Sequence, residues 1–185
     1  MIVTISGLPG SGKSTVGKLL AKRLGYRFRS VGDLRGEWAV GMGITIDELN
    51  KLGEREDWTD RKADEHQKGL GEREDDFVID GRLSFHFIPR SFKVFLDVKT
   101  QEAARRILQD DRPDEPAGTA EGIGKSLERR VRSDDKRYRK LYGIDFRDRR
   151  HFDLVIDTTD LTPQQVTDEI LKAVKGKQRE KASKQ

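Results

Sequence analysis

The segment Gly7-Leu-Pro-Gly-Ser-Gly-Lys-Ser14 constrains this chain more than any other. An apolar, β-branched run, Met1-Ile-Val-Thr-Ile-Ser6, leads into it. Behind it, Lys13 to Leu24 carries Val16, Leu19, Leu20 and Leu24 at helical spacing. A strand that ends in glycines and opens straight into a helix aims backbone N–H groups, and the positive end of the helix, at one point in space. The spacing G-x-x-x-x-G-K-[ST] suits the phosphates of a nucleoside triphosphate. On this reading Gly7, Leu8, Pro9, Gly10, Ser11, Gly12, Lys13, Ser14 and Thr15 cradle ATP. Lys13 reaches the β- and γ-phosphates and follows the migrating phosphoryl group, and the Ser14 hydroxyl faces Mg²⁺.

Further along, Tyr26 to Val31, Phe77 to Asp80, Phe92 to Val98 and Asp153 to Asp157 read as strands. Helical patterns lie between them: Asp33–Gly43, Thr45–Gly53 with a Thr45…Glu48 capping box, Asp57–Gly69, Gln101–Gln109, the very basic Lys125–Leu141, and Pro163–Val174. Strands alternating with helices predict an α/β fold, a five-stranded parallel sheet covered on both faces in three layers. Ligands of such sheets sit beyond the carboxyl ends of the strands. Gly32-Asp33 and Asp80-Gly81-Arg82 fall at those ends, beside the glycine-rich turn. Asp80, closing an apolar strand, is the candidate second metal ligand with Ser14.

Transfer of a phosphoryl group requires two anions held in line, so arginines are the next signal. Arg35, Arg82 and Arg112 follow strands or loops, while Arg129, Arg130, Arg132 and Arg137 share the basic helix. At 100° per residue, Arg130 and Arg137 point within about 20° of each other. Arg112 lies in a Gly/Pro-rich connection, Arg112 to Gly124, that reads as the hinge of a lid. His86, Trp38 and Trp58 read as packing residues.

The matching segments resemble the nucleoside monophosphate kinases, and in particular the archaeal-type cytidylate kinases. They are ISGLPGSGKSTVGKLLAKRLGY, SVGDL at Ser30, ITIDELNKLGERE at Ile44, DGRL at Asp80, RVRSDDKRYRKLYGID at Arg130 and FDLVIDT at Phe152. The resemblance implies a P-loop kinase domain over residues 1–174, with a helical monophosphate-binding flap at about 32–69 and a lid at about 110–132. It implies ATP and Mg²⁺ as cofactors, and the reaction of ATP with CMP or dCMP to give ADP and the diphosphate. Asp33, Arg35, Asp80, Gly81, Arg82 and Arg137 would then face the acceptor, and Arg130 and Arg132 would act with Lys13 in catalysis. Asp60 and Asp64 would lie near the pyrimidine or hold the flap helix. The sequence departs from the family in two places: the flap arginine falls at Arg35, one residue before its usual place at Gly36, and Ser84-Phe-His-Phe-Ile-Pro89 follows DGRL.

Two other readings use the same cradle. A small-molecule kinase of the shikimate or gluconate type would employ Asp33 near the metal or as a base toward an acceptor hydroxyl. A nucleotide-binding regulator would bind ATP without acceptor turnover. Composition narrows the field further. The chain has 185 residues, no cysteine and a net charge of +4. Thiolate chemistry and disulfides are excluded. Residues 175–185 hold five Lys or Arg against one Glu, so the basic balance belongs to a tail expected to be disordered, and nucleic acid is not indicated as a partner. No leader or apolar span is visible, and a monomeric cytoplasmic protein is expected.

Overall fold

The computed structural model describes residues 1–109 and 119–183. Five strands form one sheet: β1 (Val3–Gly7), β2 (Arg27–Ser30), β3 (Phe77–Asp80), β4 (Phe92–Asp97) and β5 (Leu154–Asp157). Their order is β2-β3-β1-β4-β5, and every pairing is parallel. The helices are α1 (Lys13–Leu24), α2 (Val31–Gly41), α3 (Ile46–Arg55), α4 (Trp58–Arg73), α5 (Ser84–Phe87), α6 (Thr100–Gln109), α7 (Ala120–Tyr142) and α8 (Pro163–Ala182). Among the described residues no helix is long and apolar enough to cross a membrane.

The central strand dictates the layout. Every residue of β1 is buried, as a strand covered on both faces requires. Val3 and Ile5 pack with Leu20 and Ala21 of α1 and with Ile170 and Val174 of α8. On the other side of the sheet, Ile2, Phe77 and Ile79 pack with Leu70 of α4 and Ile88. This sandwich sets the carboxyl ends of β1, β2 and β3 side by side, with Ile5 opposite Asp80 and Ser30 opposite Asp80 on its other edge.

Several boundaries differ from those the sequence suggests. α2 opens at Val31, with the Ser30 hydroxyl accepting from the Asp33 N–H at 3.1 Å, where the pattern suggested a start at Asp33. The Thr45–Glu48 capping box of α3 is present on both its sides. The segment after DGRL folds as the short helix α5, and its residues are structural: Phe85 stacks on His151 at 5.2 Å and packs on Phe152, while His86 lies 4.9 Å from Phe87. Burial lowers the His86 pKa below its ordinary value, followed in effect by the neighbouring His151 and Lys93 charges. Trp38 of α2 lies under the Lys62 ammonium of α4, 4.5 Å from the ring centroid. α8 runs past Val174 to Ala182, which corrects the expectation of a disordered tail from residue 175. Its Lys, Gln, Arg, Glu and Ala residues are all good helix formers, so charge alone did not end the helix.

Candidate active site

The cradle is built by backbone that only glycine tolerates. Gly7 has φ 143°, and a Cβ there would lie 2.1 Å from the Leu96 carbonyl oxygen of β4. Gly10 has φ 74° and would meet Ala103 of α6 at 2.7 Å. Gly12, with φ 85°, faces open space and caps the start of α1, whose first turn holds no acidic side chain. The turn is braced from behind. The Thr158 hydroxyl donates to the Ser11 carbonyl at 3.2 Å, and Arg106 donates to the Thr158 carbonyl at 2.5 Å and to that of Thr159 at 3.2 Å. A cleft of about 650 Å³ opens over Gly10 to Val16, between Arg105 and Arg106 of α6 and the Thr158–Thr162 loop. Lys13 Nζ donates to the Leu8 carbonyl at 2.7 Å, within the loop itself. Thr15 lies exposed at the rim.

Ser14 and Asp80, sixty-six positions apart, meet at 2.5 Å, the hydroxyl donating to Oδ2. One hydroxyl and one carboxylate beside a phosphate cradle fit Mg²⁺, which keeps several waters and binds through one or two carboxylates plus phosphate oxygens. The residues present therefore suit the metal that the motif implies.

From the cradle a continuous series of charged groups runs through α7 to α4 and α2. Arg82 Nη1 donates to the Gly7 carbonyl at 3.3 Å, and Arg82 Nε to Asp134 of α7. Asp134 also accepts from Arg137 Nη2. Arg137 Nη1 donates to both oxygens of Asp60 in α4, at 3.1 and 3.2 Å. Arg35 of α2 donates to the same Asp60 Oδ1 at 3.0 Å, to the Thr59 carbonyl at 3.3 Å and to Asn50 Oδ1 at 3.1 Å. Burial works against the charge of Arg82, yet Asp134 raises its pKa above the ordinary value. Burial pushes the Asp60 pKa up, opposed by Arg137 and Arg35. One turn further along α4, burial pushes the Asp64 carboxyl up to about 7, against the stabilising hydroxyl of Tyr142.

Of the residues singled out in sequence, the structure brings together Gly7, Ser14, Asp80 and Arg82 at the cradle, and Arg35 with Arg137 around Asp60. Gly81 is packed so closely that a Cβ would lie 2.3 Å from Ser84 Oγ. Arg130 shares the Asp134 and Arg137 face of α7 and is partly buried. Arg132 does not join it: its side chain is 68% exposed and pairs with Glu128 at 3.7 Å, since two residues along a helix turn it about 200° away. Asp33 is exposed, in the first turn of α2. Arg112 and residues 110–118 of the expected lid lie outside the described residues. Sequence reasoning missed Asp134, Asn50, Tyr142 and Gln67. The i, i+4, i+7 spacing of Asp60, Asp64 and Gln67 was the available signal, three polar groups on one helical face.

The profile of the cytidylate kinase-like family matches residues 2–160. The chain belongs to that family. Cytidylate kinase-like membership makes it a kinase, an enzyme of the transferase class. A cytidylate kinase of Natronomonas pharaonis is 39% identical over 168 residues, covering 90% of this chain and 85% of the relative. The cytidylate kinase of Halobacterium salinarum is 36% identical, with 98% and 93% covered. An S-adenosylmethionine-dependent nucleotide dehydratase of Lacinutrix mariniflava is 37% identical over 170 residues, but the chain spans only 35% of that protein. The cytidylate kinase-like chain is also similar in fold to the shikimate kinase of Aquifex aeolicus, at TM-score 0.60 and 24% identity, with 96% and 98% covered.

Proposed function

We propose that the chain transfers the γ-phosphoryl group of ATP to a nucleoside monophosphate, with CMP or dCMP preferred. The observation that carries this reading is the unbroken series Gly7–Arg82–Asp134–Arg137–Asp60–Arg35, which ties the triphosphate cradle to the guanidiniums of Arg137 on α7 and Arg35 on α2. An enzyme that joins two anionic substrates requires cationic groups in register across the gap. Family membership and the cytidylate kinases of two haloarchaea, at 36–39% identity, support the acceptor class. The dehydratase name is that of a protein of which this chain spans 35%, and it supports no dehydratase reading here.

An acceptor phosphate oxygen attacks the γ-phosphorus, the bond to the β–γ bridging oxygen breaks, and ADP departs with that oxygen. The acceptor oxygen is already anionic, so no side chain needs to act as a strong base. Lys13 and the loop amides hold the triphosphate and neutralise charge that builds on it. Ser14 and Asp80 would hold Mg²⁺, which would supply positive charge against that of the phosphates. Arg82, Arg130 and Arg137 orient the acceptor phosphate, and Arg35 holds it from the flap. The test is ADP release with ATP and Mg²⁺ across CMP, dCMP, UMP, AMP, GMP and small carboxylic acids such as shikimate. CMP or dCMP should give the highest kcat/KM. Turnover with shikimate alone, or with no acceptor, overturns the proposal.

A further inference from the structure

Asp60 lies in no motif that phosphate chemistry requires, yet two arginines from different elements meet on it. Its Oδ1 accepts from Arg35 Nη1 at 3.0 Å and from Arg137 Nη1 at 3.1 Å. The three side chains come from α2, α4 and α7, and are only 11%, 6% and 6% exposed for Arg35, Asp60 and Arg137. A solvated ion pair fixes little, but displacing any one of these buried groups leaves an uncompensated charge. α3 closes on the same point: a Cβ on Gly53 would lie 2.8 Å from Thr59 Oγ1, 3.1 Å from Arg137 Nη1 and 3.5 Å from Asp60 Oδ2. α3 also touches α7 directly, where Ser133 Oγ donates to Glu54 Oε1 at 2.5 Å. Arg137 Nε is buried and has no hydrogen-bond partner among the described residues.

We infer that Asp60 is a positioning residue: it aligns Arg35 of the flap with Arg137 of α7 on the acceptor phosphate, so that seating the flap and binding the acceptor are one event. The inference rests on the acceptor reading proposed above. Asp60 touches the arginines, and acts on the substrate only through them. Removing its charge while keeping its shape therefore weakens every accepted monophosphate alike and leaves the ATP side alone.

The experiment is steady-state kinetics on the full chain, varying monophosphate and ATP separately, for the wild type, Asp60→Asn, Asp60→Glu and Gly53→Ala. Asp60→Asn should raise KM for each accepted monophosphate by about tenfold, with KM for ATP within about twofold of wild type. Asp60→Glu should recover part of the loss. Gly53→Ala crowds Thr59, next to Asp60, together with Arg137, without changing any charge, and should raise the same KM, which keeps the inference testable if Asp60→Asn folds poorly. Unchanged monophosphate KM in both variants overturns it. So does a parallel rise in the KM for ATP, or a change of base preference without a common loss. A wild type that turns over no monophosphate sinks the functional reading separately. Hydrogen exchange without added nucleotide then decides on Asp60: faster exchange in both α2 and α7 of Asp60→Asn supports the alignment, and a change confined to α4 overturns it.

Discussion

Lys13 sets its ammonium on the Leu8 carbonyl of its own loop, 2.7 Å away, so its charge sits over the cradle. On the proposed mechanism, replacing it by alanine removes a charge that the transition state needs and little that the fold needs. Lys13→Ala should lower kcat by about 10²-fold or more, with thermal unfolding close to wild type. An ADP-release assay reading near-normal turnover would remove Lys13 from the mechanism. Gly7 makes the opposite case. A methyl group there meets the Leu96 carbonyl at 2.1 Å while φ stands at 143°. Gly7→Ala should cost on the order of 3 kcal/mol or more in urea unfolding, and a variant as stable as wild type would show that β1 and β4 can part. The motif made Gly7 legible in the sequence, because its spacing is local. The reason it must be glycine was not, because Leu96 belongs to a strand that only the sheet brings near.

At the scale of elements, α4 is the part least readable in advance. Its pattern is mostly polar, and only its neighbours in the fold give Asp60, Asp64 and Gln67 a common role, with Arg137 and Tyr142 of α7 on the two carboxylates and Ser84 of α5 on Gln67. Asp64 accepts from Tyr142 and from Gln67 Nε2, the latter at 3.3 Å, and lies near Asp60, Arg35 and Arg137. Its carboxyl is pushed up from the ordinary 3.8 to about 7. The folded chain therefore binds a proton there that the unfolded chain has released. The stability this contributes is fully present below about pH 3.8 and is lost as pH rises through about 7. Asp64→Asn lacks this titration and can still accept from Tyr142. Between pH 5 and 8 the wild type should lose on the order of 2 kcal/mol relative to Asp64→Asn. Parallel pH profiles in urea unfolding would contradict the shift. The flap arginine shows a similar limit. Counting residues placed Arg35 one position away from the family pattern. What counting could not supply was the start of α2 at Val31, which aims Arg35 inward at Asp60 and Asn50.

For the whole molecule, the parallel sheet and its layers were legible because five apolar runs are separated by helical spacing. The end of α8 was not, because a charged terminus reads alike whether coiled or helical. Val174 is fully buried, and the described residues after it are exposed or only partly buried, tied to the body mainly by Gln178 donating to the Tyr26 hydroxyl at 3.3 Å. Removing residues 176–185 should cost about 1 kcal/mol and leave kcat and both KM values unchanged. A marked fall in turnover would place the last turns of α8 in the catalytic cycle.

The middle position of β1 also bears on how the protein is made. The strand that feeds the cradle leaves the ribosome before both its hydrogen-bonding neighbours, β3 and β4, which lie beyond residue 76. A nascent chain that has already exposed the complete glycine-rich segment has nothing to hold it open, and that segment acquires its shape only once both neighbours have been made. Affinity for triphosphate should therefore arrive abruptly during translation, with the emergence of the fourth strand.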